Sequence, residues 1–246
     1  MRRVFDHVTI RVSDRAASEQ FYETVLTPLG IEPTYRTGAF TEWRDFSLTE
    51  SDAEHGVTRG LHIGFVAPSR EQVDDFWQSG TRAGHADDGP PGPRPEYTPE
   101  YYGAFLRDPD SNSVEAVVHE NLRADGVVDH VWLRVADLAA ATRFYQTIAP
   151  VSGYALNHAD EGASHFHGRT GGSLTLVPGE PTRDVHLAFG TNDDADVQRF
   201  HELATAAGHP SHGRPGERPQ YHPGYYAAYV LDPDGNNIEL VNHHRS

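Results

Sequence analysis

The chain contains no cysteine and a single methionine. The first absence excludes disulfides, thiolate metal ligands and a cysteine nucleophile. Positive charge is also scarce: 20 Lys and Arg stand against 36 Asp and Glu, a formal charge of −16 with histidine neutral. A surface of that sign repels phosphate backbones and anionic membranes, so neither nucleic acid nor a membrane is an expected partner. No long apolar run occurs, and the opening Met-Arg-Arg-Val-Phe-Asp-His has no apolar leader core. A soluble, cytoplasmic protein is the expectation. What is abundant is ring-bearing: 11 Tyr, 11 Phe and 16 His. The aromatics suit a packed core, and so many histidines must include surface or site residues, because His is seldom plain core filler.

Two stretches of the 246-residue chain repeat one another. Tyr97–Val117 reads YTPEYYGAFLRDPDSNSVEAV and Tyr221–Val241 reads YHPGYYAAYVLDPDGNNIELV, with Asp108 matching Asp232 and Glu115 matching Glu239 at an offset of 124. Likewise FDHVTIRV (Phe5–Val12) returns as VDHVWLRV (Val128–Val135), and LHIGF as VHLAF. The chain therefore reads as a tandem duplication, with domains at 1–121 and 127–246 joined through Asn121–Gly126. Each half divides again into two strand–helix–strands units of about 60 residues. Apolar alternation marks Phe5–Val12 as a half-buried strand, and Ser13 or Asp14 can cap the following helix, whose apolar positions are Ala17, Phe21, Tyr22 and Val25. Asp137 serves the matching helix, and further helices are expected over Glu71–Ala83 and Val197–Ala207. The Pro/Gly-rich stretches Gly89–Pro95 and Gly213–Pro219 read as loops.

Polar residues interrupt otherwise apolar strands at matched places. They are His7, His62 and Glu115 in the first half, spaced 55 and 53 apart, and His130, His186 and Glu239 in the second, spaced 56 and 53 apart. Glu239 lies between Ile238 and Leu240, and a carboxylate so placed is costly unless something pairs with it. A lone strand histidine is commonly a hydrogen-bonded structural residue. Two imidazoles and a carboxylate on corresponding strands, however, form a ligand set for Fe(II), Mn, Ni, Zn or a similar divalent ion, with positions left open for substrate.

The ligand-strand motifs DHVTIRV and DHVWLRV, LHIGF and VHLAF, and DPDSNSVE and DPDGNNIE resemble those of the vicinal oxygen chelate superfamily, which includes glyoxalase I, extradiol dioxygenases, fosfomycin-resistance proteins and bleomycin-binding proteins. The resemblance covers essentially the whole chain. It implies an α+β fold of four βαβββ modules, each repeat a cupped mixed sheet around a metal cavity. It further implies one metal held by His7, His62 and Glu115 and another by His130, His186 and Glu239. Glyoxalase I adds a carboxylate ligand late in its first module. Here Asp45 or Glu50 stands in that region of the first half, while Gly171–Val177 in the second has no acid. The extradiol signature, a His, a Tyr, Asp-Pro-x-Gly and a ligand Glu, is similar to His222, Tyr229, Asp232–Gly235 and Glu239, with departures at Gln220 and Ala228. The first half has Thr98 and Phe105 at the His and Tyr positions.

The resemblance thus implies a divalent-metal enzyme, foremost a ring-cleaving Fe(II) dioxygenase with His222 and Tyr229 as catalytic groups. A drug- or metabolite-binding protein, or a lyase, isomerase or transferase of the glyoxalase type, stands as the alternative. Expected partners are a small-molecule substrate and, optionally, a second copy in a homodimer. Tyr101, Tyr102, Tyr225 and Tyr226 read as a mixture of core packing and cavity lining. Arg94 and Arg218 read either as anchors for an anionic group or as loop residues paired with surface acids. His119 and His243, each four residues beyond a ligand Glu, read as partners of the ligands or as strand ends.

Overall fold

The computed structural model describes residues 5–168 and 171–244. The first module runs β1 (His7–Val12), α1 (Arg15–Leu26), β2 (Tyr35–Arg36), β3 (Phe40–Trp43) and β4 (Phe46–Glu50). In β1 the buried residues are Val8, Ile10 and Val12, alternating with half-exposed His7, Thr9 and Arg11. Of the two cap candidates it is Asp14 that acts, its carboxylate accepting from Ala17 N at 3.0 Å. Helix α1 gives way to a 3₁₀ turn at Thr27–Leu29, and Gly30 ends it at φ 74°, a left-handed conformation that favours glycine.

The second module is β5 (His62–Val66), α2 (Arg70–Arg82), β6 (Asp87–Pro93), β7 (Tyr102–Arg107) and β8 (Ser113–Val118). The third is β9 (Val128–Val135), α3 (Leu138–Ser152), β10 (Tyr154–Ala159), β11 (Ser164–Gly168) and β12 (Ser173–Pro178). The fourth is β13 (His186–Thr191), α4 (Asp194–Ala206), β14 (Ser211–Glu217), β15 (Tyr226–Leu231) and β16 (Asn237–Asn242). The α+β class and the four βαβββ modules are as the resemblance implies. The stretches read as Pro/Gly loops are instead the strands β6 and β14. Each is the outermost strand of its sheet and pairs with register shifts, the setting in which proline and glycine are tolerated in a strand.

The assembly of modules departs from one sheet per repeat. One eight-stranded sheet has the order β14-β15-β16-β13-β1-β4-β3-β2 and the other β10-β11-β12-β9-β5-β8-β7-β6. Module one thus joins module four, and module two joins module three, through the antiparallel pairs β1/β13 and β5/β9. The reason lies in how the modules of one half pack. Helices α1 and α2 lie together, and Phe46 of β4 meets Phe65 of β5 edge-on at 5.1 Å, so the two modules of the first half share their apolar faces. Their strands β1 and β5 then need partners from elsewhere, and unpaired strand edges are a liability that the other half removes. Residues of all four modules contribute to one continuous apolar core.

The link between the halves is anchored by Arg123. This guanidinium is buried, pairs with Asp45 at 2.6 Å, and donates to the carbonyls of Phe5 (2.6 Å) and Val128 (3.0 Å). Asp45 in turn accepts from Val127 N at 2.8 Å. One buried ion pair thereby ties the start of β4 to the linker and to the start of β9.

Candidate functional site

Cross-strand register decides which polar residues meet. In the β5/β8/β9 region, Gly64 is directly opposite Glu115 on one side and His130 on the other. His62 lies two residues before Gly64 and so on the same face. A Cβ on Gly64 would overlap the His130 ring, standing 2.6 Å from its Nδ1. Glycine is what lets the imidazole lean over the central strand. In the β1/β13/β16 region, Ala188 is opposite both His7 and Glu239, with His186 two residues before it.

Among the described residues, the groups that could hold a metal ion are therefore His7, His186 and Glu239 (site I) and His62, Glu115 and His130 (site II), each with its candidate donor atoms within 4.8 Å of one another. This corrects the grouping by halves: the same six residues converge, but each site borrows its first-strand histidine from the other half, because β1 and β5 pair across the repeat. In site I the two Nε2 atoms are 3.1 Å apart, and Glu239 Oε2 is 2.9 Å from His186 and 3.6 Å from His7. In site II, Glu115 Oε2 is 3.0 Å from His62 Nε2 and 3.1 Å from His130 Nε2, and the two nitrogens are 3.0 Å apart.

The donor chemistry of site II calls for a cation. Ser113 Oγ donates to Asp88 at 2.7 Å, so it accepts from His62 Nδ1 at 3.1 Å. His130 Nδ1 donates to Asp129 at 2.9 Å. With both Nδ1 protons committed, two neutral imidazoles would turn Nε2 lone pairs toward each other and toward a carboxylate oxygen. Three acceptors at hydrogen-bond distance of one another repel unless a metal ion or a proton lies between them. Without a metal, a proton takes that place: burial pushes His130 down, but its hydrogen bonds to Asp129 and Glu115 outweigh this and raise it to about 10. For Glu115 the upward push of burial is outweighed by His130 and His62, which bring it to about 2. Site I shares the raised histidine, but only the His7 Nδ1 proton is committed there, so His186 can also donate from Nε2 to Glu239. Burial lowers His7, yet Asp6 and Glu239 raise it to about 9, and among the described residues His186 Nδ1 is buried without a hydrogen-bond partner.

Other side chains orient these histidines and glutamates, and of them Asp6 and Asp129 were not singled out in the sequence. Asp6 accepts from His7 Nδ1 at 2.9 Å as Asp129 does from His130, and the signal was the repeated Asp-His dipeptide. Tyr225 donates to Glu239 Oε1 at 2.6 Å and Tyr101 to Glu115 Oε1 at 2.8 Å, leaving Oε2 to face the histidines. His119 and His243 are partners of the ligand network rather than strand ends: they bond Asp129 at 3.1 Å and Asp6 at 2.8 Å. Tyr102 instead reaches Asp74 at 2.8 Å.

Neither Asp45 nor Glu50 is a fourth ligand. Asp45 is bound to Arg123, and Glu50 is exposed at the end of β4. Arg94 and Arg218 donate to the carbonyls of Pro90 (2.8 Å) and Arg214 (2.6 Å) and lie over the rings of Phe105 and Tyr229, so among the described residues neither pairs with a surface acid there.

Tyr229 is directly opposite Glu239 in the β15/β16 register, and Phe105 holds that place opposite Glu115. The Tyr229 hydroxyl is buried beside Glu239 and, among the described residues, makes no hydrogen bond of ordinary length and angle. Burial and the Glu239 charge raise its pKa, so its proton stays on. His222 is not at the ligand cluster. Its Nδ1 donates to Pro223 O and its Nε2 lies 2.8 Å from His243 Nδ1, from which the chain of bonds continues through Asp6 to His7.

The family profile of the Glyoxalase/Bleomycin resistance protein/Dioxygenase superfamily matches residues 4–116 and again 127–240. The chain belongs to this superfamily. Glyoxalase I from Zea mays has 20% sequence identity and a TM-score of 0.73, with 99% of this chain and 93% of that one covered, a likeness of fold. A glyoxalase/bleomycin resistance protein from Albidiferax ferrireducens is 34% identical over 47% of this chain and 98% of its own, at a TM-score of 0.43. The Mn(II)-bound glyoxalase from Novosphingobium aromaticivorans is 18% identical, with 100% and 84% covered and a TM-score of 0.43. Among curated proteins, none matches. Among the described residues, no helix is long and apolar enough to cross a membrane.

Proposed function

We propose that the chain is a divalent-metal enzyme acting on a small molecule with adjacent oxygens, and that site I carries ring-opening dioxygenation of a catechol with Fe(II) as the ion. The observation that carries this reading is the Tyr229 hydroxyl, buried without a well-formed hydrogen bond next to a candidate ligand set of two histidines and one glutamate. Bound by His7, His186 and Glu239, the ion would supply a Lewis acid and redox centre for chelating oxygens. Tyr229, held in its protonated form, donates a hydrogen bond to a substrate oxygen. Tyr225 fixes the Glu239 carboxylate, and Asp6 holds the His7 proton on Nδ1, keeping Nε2 free. His222 acts at a distance, through His243 and Asp6, as a positioning residue. Site II has Phe105 where site I has Tyr229, so it lacks the donor that this chemistry uses. Three protein ligands per site also disfavour a mechanism needing a fourth carboxylate.

The test is anaerobic Fe(II) reconstitution, then a catechol panel in an oxygen electrode. Oxygen uptake is expected in the wild type, with loss in His186→Ala and retention in His62→Ala. In Tyr229→Phe, kcat should fall about 10- to 100-fold with iron content unchanged. Absence of uptake, or activity that survives His186→Ala, refutes the assignment. Stoichiometric metal without oxygen consumption would instead indicate a lyase or isomerase, and purification without metal a binding protein.

A further inference from the structure

We propose that the cavity next to His62 binds a small aromatic carboxylate, with Arg134 holding the carboxylate and Trp132 packing on the ring. The cavity has a volume of about 480 Å³ and is lined by His62, Trp132, Arg134, Arg107 and Ser113 among others, which is room for a small molecule reaching toward the site II ligands. Trp132 is directly opposite His62 in the β5/β9 register, with ring centroids 5.4 Å apart, and remains half-exposed. Arg134 follows two residues later on the same face of β9, about 7 Å along the strand, roughly the span from a ring to its carboxylate.

Arg134 is available. The chain has 36 acidic residues for 20 basic ones, yet among the described residues none pairs with this guanidinium. Its stem runs beside Gly60 and Gly179, where a Cβ would lie in ordinary contact, 3.7 or 3.5 Å from Arg134 Cδ. Arg107, on the cavity wall, is already engaged with Asp88 and Ser111 O, so it contributes charge but not a free donor. The counterpart positions near site I are different. Arg11 is tied to Asp52 at 3.1 Å, and Thr9 and Leu231 stand where Trp132 and Arg107 stand near site II. A guanidinium without a partner beside an aromatic wall recognises a flat anion, and only one of the two sites has the pair.

The inference does not depend on the oxygen chemistry assigned to site I, and the experiment separates the two by using EDTA-dialysed, metal-free protein. Anthranilate, which accepts tryptophan emission, is titrated while intrinsic fluorescence is followed, with neutral anthranilamide as the matched probe. The wild type should bind anthranilate about tenfold more tightly than the amide. Arg134→Gln, a change at an exposed side chain, should abolish that preference, and Trp132→Phe should remove most of the quenching. Equal affinities in the wild type, a preference that persists in Arg134→Gln, quenching that persists in Trp132→Phe, or no binding at all would each overturn the proposal.

Discussion

Adding metal to the metal-free protein at alkaline pH should release protons that ordinary histidines would not hold. An unperturbed imidazole has lost its proton by pH 8, so binding a metal there would expel none. His130 is raised to about 10 by Asp129 and Glu115, against the opposing push of burial, and His7 is raised to about 9 by Asp6 and Glu239. At pH 8 each site of the metal-free protein therefore holds about one proton that the ion must displace. Apparent affinity should rise about tenfold per pH unit from pH 7 to pH 9, where an ordinary histidine site would be nearly flat. The assay is isothermal titration calorimetry with Zn(II) at pH 8 in two buffers of different ionisation enthalpy. The difference in observed heat counts the protons, and Asp129→Asn should lower the count at site II. Heats that are the same in both buffers would refute the reasoning. The linkage has a second face. A histidine raised in the folded state stabilises it fully below the unfolded pKa and loses that contribution as pH climbs through the raised one. The Tm of metal-free protein should therefore fall between pH 7 and 10, and metal-loaded protein should resist that fall.

Gly64→Ala should lower the metal content toward one ion per chain, read by elemental analysis, because the new methyl displaces the His130 ring while site I already has Ala188 at that place. Arg123→Met should destabilise the fold by about 3–5 kcal/mol in chemical denaturation, since Asp45 and two backbone carbonyls lose a buried cation. Tyr101→Phe should weaken metal binding at site II by about tenfold with little change in stability, as Glu115 Oε1 loses the bond that sets its orientation.

The face of each strand and the six residues that make up the two candidate clusters were legible because they are local properties. Alternation in Val8–Ile10–Val12 puts His7 on the open face whatever β1 pairs with, and Ile238 and Leu240 do the same for Glu239. Which strands adjoin is not local. Periodicity says that β1 has an apolar face and an open edge, but both β5 and β13 carry a histidine in a nearly identical setting, so either would complete a two-histidine site. The choice falls to packing: Phe46 against Phe65 turns the two modules of the first half back to back, and their edges can then be satisfied only from the second half. The same limit left the partners of Tyr101 and Tyr225 open and hid Asp6 and Asp129 altogether, since these roles exist only once a cross-strand or flanking partner is fixed. It also misled the reading of Gly89–Pro95 and Gly213–Pro219, since a proline-rich segment is a loop in isolation and an edge strand when a sheet ends there. Duplication made the repeats easy to see, and by supplying interchangeable partners it obscured which copies assemble together. Two sites built by exchange also bind the halves to each other: each ion would bridge residues from both repeats, so metal binding and the association of the two halves should be a single linked equilibrium.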